Sequence, residues 1–208
     1  MIAAIEALER LRAGNQRFIR GMHDIESVSS PSRRHSLVSG QEPFAIILGC
    51  SDSRVPAEIV FDQGLGDLFV IRVAGNVVAA SQVGSVEFAA ERFGTRLVVV
   101  LGHTQCGAIQ ATVESLQHPH DDHSHNLRSI VDRVRPSVEP LMATDLKNHP
   151  EQLLHHAVRA NILAAVNHLR HGSELLEKHI ETRGLLVVGA EYSLETGAVE
   201  FFEGAPGS

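Results

Sequence analysis

The residue types that could do chemistry in this chain fall into two short groups. The first contains Cys50, Asp52 and Arg54, and the second contains His103 and Cys106. Cysteine thiolate, histidine nitrogen and carboxylate oxygen are the ligands that zinc takes in a tetrahedral arrangement. Two thiolates favour zinc over magnesium or calcium, and iron is less favoured with so few sulfurs. We therefore predict a Zn2+ site with Cys50, Asp52, His103 and Cys106 as candidate ligands.

Two arrangements of this site are open. In a closed structural site, all four side chains bind the ion. In a catalytic site, Arg54 holds the Asp52 carboxylate in a salt bridge. The fourth position is then free for a water that ionises near pH ~7 and becomes a nucleophile. We favour the catalytic arrangement, because a structural site has no need of the arginine.

Each group of candidate ligands follows a continuous apolar run of the kind that forms a buried strand. The runs are Phe44–Leu48 and Leu97–Leu101, and a glycine ends each of them. Ligands of open α/β sheets bind at the carboxyl ends of the strands. We therefore expect both groups at one edge of a sheet.

Apolar runs alternate with helical patterns along the whole chain. Strands are predicted at 44–49, 68–72, 97–102, 185–188 and 197–202, with helices at 2–20, 85–92, 106–116, 126–135, 151–170 and 173–182. This alternation predicts one α/β domain over residues 1–208, with four parallel strands and a C-terminal antiparallel edge strand flanked by helices. We divide it into an N-terminal helical arm and irregular connection (1–43) and a zinc-binding core (44–208).

The N-terminal helix raises a separate expectation. Gly14 and Asn15 should interrupt it, and Gly21 should end it. A helix ahead of the first strand has no obvious partner inside a simple α/β unit. We expect it to pack on a second subunit.

Composition excludes several functional classes. The hydrophobic content of 43% supports a packed core, and the net charge of −7 argues against a nucleic-acid partner or an anionic membrane surface. No stretch approaches the ~20 apolar residues of a membrane-spanning helix. Two cysteines placed after buried strands suit thiolate ligands in a reducing compartment, and the acidic N-terminus is unlike a signal peptide, so we expect a cytoplasmic protein. The His-rich segment 118–125 could bind metal, but a solvated loop is favoured.

The two groups also carry a family resemblance. Cys50-Ser-Asp-Ser-Arg-Val-Pro-Ala-Glu58 and Gly102-His-Thr-Gln-Cys-Gly107 resemble the β-class carbonic anhydrases of bacteria. The resemblance extends through Gly66–Arg72 and Gly84–Phe88, and loosely from Ala7 to Phe202. It implies reversible hydration of carbon dioxide to bicarbonate and a proton by zinc-bound hydroxide. It also implies residue roles: zinc ligation by Cys50, His103 and Cys106, and a catalytic dyad of Asp52 and Arg54.

The resemblance implies more about the pocket and the assembly. Gln41 and Phe69 match family residues that bind the substrate, although a surface glutamine and a core phenylalanine are the plainer interpretations. Family members are dimers or multiples of dimers with the pocket at the subunit boundary, so a homodimer or dimer-based tetramer is expected. Ile47 stands where the bicarbonate-regulated subtype has tryptophan, which weakens the case for that regulatory site. We predict that Asp52 can occupy two states, bound to Arg54 or to zinc.

Other functions fit parts of this pattern. Hydrolysis of carbon disulfide or carbonyl sulfide on the same fold would suit the same site, and a non-catalytic zinc-stabilised assembly protein would also keep the ligands. A dinucleotide-binding protein is disfavoured, because Gly64-Leu-Gly66 precedes a strand instead of following one into a helix.

Overall fold

A five-stranded sheet forms the centre of the computed structural model, which describes residues 2–22, 29–118 and 124–207. The strands are β1 (Ala45–Gly49), β2 (Leu68–Arg72), β3 (Leu97–His103), β4 (Leu186–Tyr192) and β5 (Val199–Glu203). Their order across the sheet is β2-β1-β3-β4-β5. Only the β4–β5 pairing is antiparallel. The predicted single α/β domain with a C-terminal antiparallel edge strand is confirmed.

Helices cover both faces of this sheet. In chain order they are α1 (Ala4–Ile19), α2 (Pro31–Ser36), α3 (Ala57–Val60), α4 (Ala80–Arg92), α5 (Gly107–Gln117), α6 (His125–Met142), α7 (Pro150–His171) and α8 (Glu174–Arg183). Short 3-10 turns lie at Ala74–Asn76 and Asp145–Asn148. None of the helices in the described ranges has the length and hydropathy needed to cross a membrane.

The two faces of the sheet have separate cores, which explains why the strands read as continuous apolar runs. On β1, Ile46 and Leu48 belong to a cluster that includes α4 to α8. Ala45 and Ile47 point the other way, into a cluster that includes α1 and α3. All four side chains are fully buried. The sheet is therefore the middle layer of three.

Helix α1 differs from the sequence expectation. It runs without interruption through Gly14. The glycine serves packing here, because without a side chain it lets the helix lie close to the backbone of Phe61. A Cβ at position 14 would lie 1.8 Å from the Phe61 carbonyl oxygen. The predicted break is therefore wrong, whereas Gly21 does follow the helix end with a φ of 65°.

Helix α1 also has a partner within its own chain. Leu8 and Leu11 are fully buried in the second cluster, against the face of the sheet that includes Val99. The expectation that this helix lacks an intrachain partner is wrong. Packing of its outer face on a second subunit stays a prediction.

Three further segments differ from expectation or lie outside the description. The irregular connection expected between the N-terminal helix and residue 44 contains α2, and residues 23–28 are outside the described ranges. Helix α6 continues past its predicted end at residue 135, through Pro136 and Pro140. Residues 119–123 of the His-rich segment are also outside the described ranges. The solvated loop and the metal site therefore both stay predictions for this segment.

Candidate metal centre

The three predicted sulfur and nitrogen ligands meet at the carboxyl edge of the sheet. Strands β1 and β3 are neighbours and pair Gly49 with Leu101, so they end side by side. Cys50 directly follows β1, His103 is the last residue of β3, and Cys106 precedes α5. All three side chains are buried, and their ligand atoms lie within 4.8 Å of one another. The sheet geometry thus assembles a group of atoms able to hold one metal ion.

The His103 ring shows which of its nitrogens is free for a metal. Its Nδ1 lies 2.8 Å from the carbonyl oxygen of Thr104, which can only accept a hydrogen bond, so Nδ1 carries the proton. The opposite nitrogen, Nε2, is buried and has no hydrogen-bond partner among the described residues. A buried polar atom without a partner is costly unless something binds it. This orphaned nitrogen, facing two thiols, fits a metal ligand with its orienting hydrogen bond in place.

The two cysteines are free and close enough to affect each other's ionisation. Hydrogen bonding from Cys106 lowers the pKa of the Cys50 thiol against the opposing effect of burial, and His103 and the Gly75 amide act in the same direction as Cys106. The neighbouring Cys50 sulfur, together with burial, raises the pKa of the Cys106 thiol. The group therefore favours at least one thiolate, the form that binds metals. Burial opposes the charged form of His103, but the neighbouring Cys50 sulfur and the Thr104 carbonyl oxygen raise the pKa of His103 overall.

Asp52 is held by Arg54 beside these ligands. Its Oδ1 accepts hydrogen bonds from the Arg54 backbone amide and Nε, both at 2.9 Å, and its Oδ2 accepts one from Nη2 at 2.7 Å. The side-chain bonds from Arg54 hold the pKa of the Asp52 carboxyl well below its usual range. Oδ2 also lies 3.8 Å from His103 Nε2. In this structure Asp52 pairs with Arg54, next to the three-ligand group but not part of it.

Two residues that the sequence did not assign to the site fix the loop after β1 through three hydrogen bonds. Arg72, at the end of β2, donates from Nε to the Cys50 carbonyl oxygen at 3.0 Å and from Nη2 to the Asp52 carbonyl oxygen. The Gly75 amide donates to Cys50 Sγ at 3.4 Å, from a backbone with a φ of 65° that favours glycine. The only sequence signal for these roles was position, because Arg72 ends a predicted strand and Gly75 follows it.

Gln41 and Phe69 lie elsewhere in the chain. Gln41 is exposed and precedes β1, whereas Cys50 follows it. Phe69 pairs with Ile46 near the start of β1, and its ring lies 6.0 Å from that of Phe93, which lines a cleft together with Gln41. The structure therefore places both Gln41 and Phe69 at the amino edge of the sheet, each beside Phe93 or the cleft that Phe93 lines. Within one chain they are on the opposite edge from the candidate ligands.

Comparison with known proteins places this fold and site in one class of metalloenzyme. A family model described as "Carbonic anhydrase" matches residues 45–199. Carbonic anhydrase 2 of Mycobacterium tuberculosis is 38% identical over 200 residues, which cover 93% of this chain and 90% of the relative.

Solved structures agree with this assignment. The β-carbonic anhydrase of Coccomyxa, determined in complex with acetazolamide, has a TM-score of 0.71 and 26% identity over 83% of this chain and 78% of its own. Tetrameric β-carbonic anhydrases of Sordaria macrospora share the fold, with a TM-score of 0.73 and 22% identity over 83% of this chain and 87% of that one. The chain belongs to the β-class carbonic anhydrase family.

Proposed function

We propose that this enzyme catalyses the reversible hydration of carbon dioxide to bicarbonate and a proton, with zinc bound by Cys50, His103 and Cys106. The observation that carries the proposal is the buried Cys-His-Cys group, with ligand atoms within 4.8 Å of one another beside an ionised Asp52. This donor set suits zinc, and three protein ligands are the number found in catalytic zinc sites. Zinc bound there supplies the Lewis acid that makes water nucleophilic at neutral pH.

Asp52 and Arg54 orient the reacting water in this proposal. Because three hydrogen bonds from Arg54 keep Asp52 ionised, the carboxylate acts as an acceptor and holds the hydrogen of the water. A water with its hydrogen held directs a lone pair at the carbon of the substrate. Arg54 itself is fixed through the same bonds and through the Gln105 carbonyl oxygen at 3.4 Å. The alternative state, in which Asp52 binds zinc, stays a prediction that structures at pH 6 and pH 9 would test.

We propose that a second copy of the chain completes the pocket. Gln41 and Phe69 can approach a metal centre only from another subunit, since within one chain they lie at the opposite edge of the sheet. This supports a homodimer or a dimer-based tetramer. We also place the enzyme in the cytoplasm, where a reducing environment keeps both thiols available; no nucleic-acid or membrane partner is proposed.

The test compares carbon dioxide hydration by the wild type and Asp52→Asn in a stopped-flow instrument, with zinc content measured on the same samples. The matched control is Asp132→Asn, which breaks an Asp–Arg pair on the surface of α6. We expect Asp52→Asn to retain zinc and lose about 100-fold or more in kcat, since it removes one oriented acceptor, whereas the control keeps full activity.

Two results would contradict the proposal at different points. A zinc-loaded wild type that does not hydrate carbon dioxide would refute the function, and carbon disulfide would be the next substrate to try. A zinc-loaded Asp52→Asn with wild-type rates would refute only the role given to the carboxylate.

A further inference from the structure

A cleft of about 440 Å3 borders the candidate metal centre on one side. Arg54, Thr104 and Gln105 form its wall toward the centre. Helix α7 and the segment around the end of β4 form the remainder, with the residues Glu151, Leu154, His155, Val158, Glu191, Ser193, Leu194 and Glu195. The cleft thus begins at Arg54 and is lined by both charged and apolar side chains.

Glu191 is an unusual side chain in this cleft. It is on β4, beside Gly102 in the register, and its side chain is only 6% exposed. Its Oε2 accepts a hydrogen bond from Arg159 Nη1 at 3.2 Å. Its Oε1 is buried and accepts no hydrogen bond from any residue in the described ranges. Because an unpartnered carboxylate oxygen is costly to bury, Oε1 requires a donor from within the cleft.

His155 stands between that oxygen and solvent. Its Nδ1 is 3.8 Å from Glu191 Oε1, and its side chain is 51% exposed. The distance is too long for a good hydrogen bond, but it is short enough for transfer through one water or a small rotation. An imidazole ring has two nitrogens that can accept and donate a proton, which is why histidine commonly serves as a proton carrier. The charged groups around it are Glu151, Glu191, Glu195, Glu200, Arg159 and Arg54.

We propose that Glu191 and His155 form the exit route for the proton that carbon dioxide hydration produces. This inference rests on the proposed function, since hydration consumes one water and yields one bicarbonate and one proton. The proton leaves the reacting water and passes along water molecules in the cleft to neutral His155, which accepts it. The negative charge of Glu191 attracts the proton along this path. His155 then gives it to a buffer base such as imidazole or phosphate, which restores the neutral ring. Glu191 stabilises the protonated form in transit.

The chain offers a matched control for this route. His156 is the next residue on α7 and is also exposed, with its ring 5.5 Å from that of His155, but it does not line the cleft. We expect His155→Ala to lower kcat about 10-fold at low buffer concentration, since proton transfer by a positioned side chain contributes this much or more. kcat/KM should stay unchanged, and saturating imidazole should restore kcat. His156→Ala should match the wild type at every buffer concentration.

A second variant separates the relay from a structural effect. Glu191→Gln keeps an oxygen for Arg159 but removes the charge, so its kcat should fall at low buffer with zinc content and kcat/KM preserved. Equal kcat for His155→Ala and His156→Ala at low buffer would overturn the relay while leaving the proposed function intact. A zinc-loaded wild type without hydration activity would overturn the proposed function and the relay together.

Discussion

Replacing Asn15 with alanine should destabilise the fold by about 3 kcal/mol, because this side chain ties α1 to two distant parts of the chain. Its Nδ2 donates to the Val60 carbonyl oxygen at 3.1 Å and to the Gly197 carbonyl oxygen at 2.9 Å. Its Oδ1 accepts from the Val199 amide at 2.9 Å. Three hydrogen bonds at about 1 kcal/mol each give the estimate, and backbone groups left without partners push it upward. Asn15 is only 3% exposed, so water cannot replace these bonds freely.

The assay is equilibrium urea unfolding of the wild type, Asn15→Ala and the control Gln16→Ala. Gln16 is the next residue on α1 and is exposed, so its replacement changes helix propensity without removing a buried contact. With a slope of about 2 kcal/mol per M urea, a loss of 3 kcal/mol lowers the midpoint by about 1.5 M.

The reasoning fails if the two variants unfold at the same urea concentration. That result would mean that the three hydrogen bonds contribute no net stability and that α1 is held by apolar burial alone. A midpoint lowered together with a changed slope would instead indicate that the helix detaches before the sheet unfolds.

Two other perturbations test the loop and the outer face of the sheet. Arg72→Lys should lose zinc to a chelator with a half-time several-fold shorter than that of the control Arg96→Lys. An ammonium group cannot reproduce the two hydrogen bonds that Arg72 donates to the loop after β1. Equal half-times would exclude this role for Arg72. Hydrogen bonding from Arg159 lowers the pKa of Glu200 below its ordinary value of 4.5. The Glu200–Arg159 pair therefore stabilises the fold above pH 4.5, and this stabilisation is lost as the pH falls through the lowered pKa. The Tm difference between the wild type and Glu200→Gln should therefore be small but measurable at pH 6 and should close below pH 4.5, and a constant difference would contradict this assignment.

The sheet and the grouping of the candidate metal ligands were predictable because their signals are local. A buried parallel strand reads as an unbroken apolar run, and the ligands follow two such runs directly. Once the runs are placed in one parallel sheet, Cys50 and His103 must end at the same edge. The helices that differ from prediction depend on distant contacts instead. Gly14 looks like a helix break until the Phe61 backbone is found against it.

Helix α6 also depends on distant contacts, which make it longer than its sequence predicts. Proline at 136 and 140 argues for an end near residue 135. The helix continues to Met142 because Val134 and Val138 are fully buried in the core. Packing thus outweighs the lost backbone hydrogen bonds. The Glu191–His155 pair was equally hidden, since it joins β4 to α7 and no spacing in the sequence connects the two residues.

The pairing of β1 with β3 also determines when the newly made chain can take up its metal. His103 and Cys106 are near each other in any conformation, but Cys50 joins them only after two strands separated by α3, β2 and α4 have paired in parallel. Parallel pairing of segments that are distant in sequence is slow. The chain must lose the entropy of closing a long loop before the contacts that offset this loss can form. Under the proposed ligation by Cys50, His103 and Cys106, tight capture of the metal is therefore a late event, and the ion would act mainly by slowing unfolding of a sheet that already exists. The supply of metal then governs how long the native chain lasts more than how fast it forms.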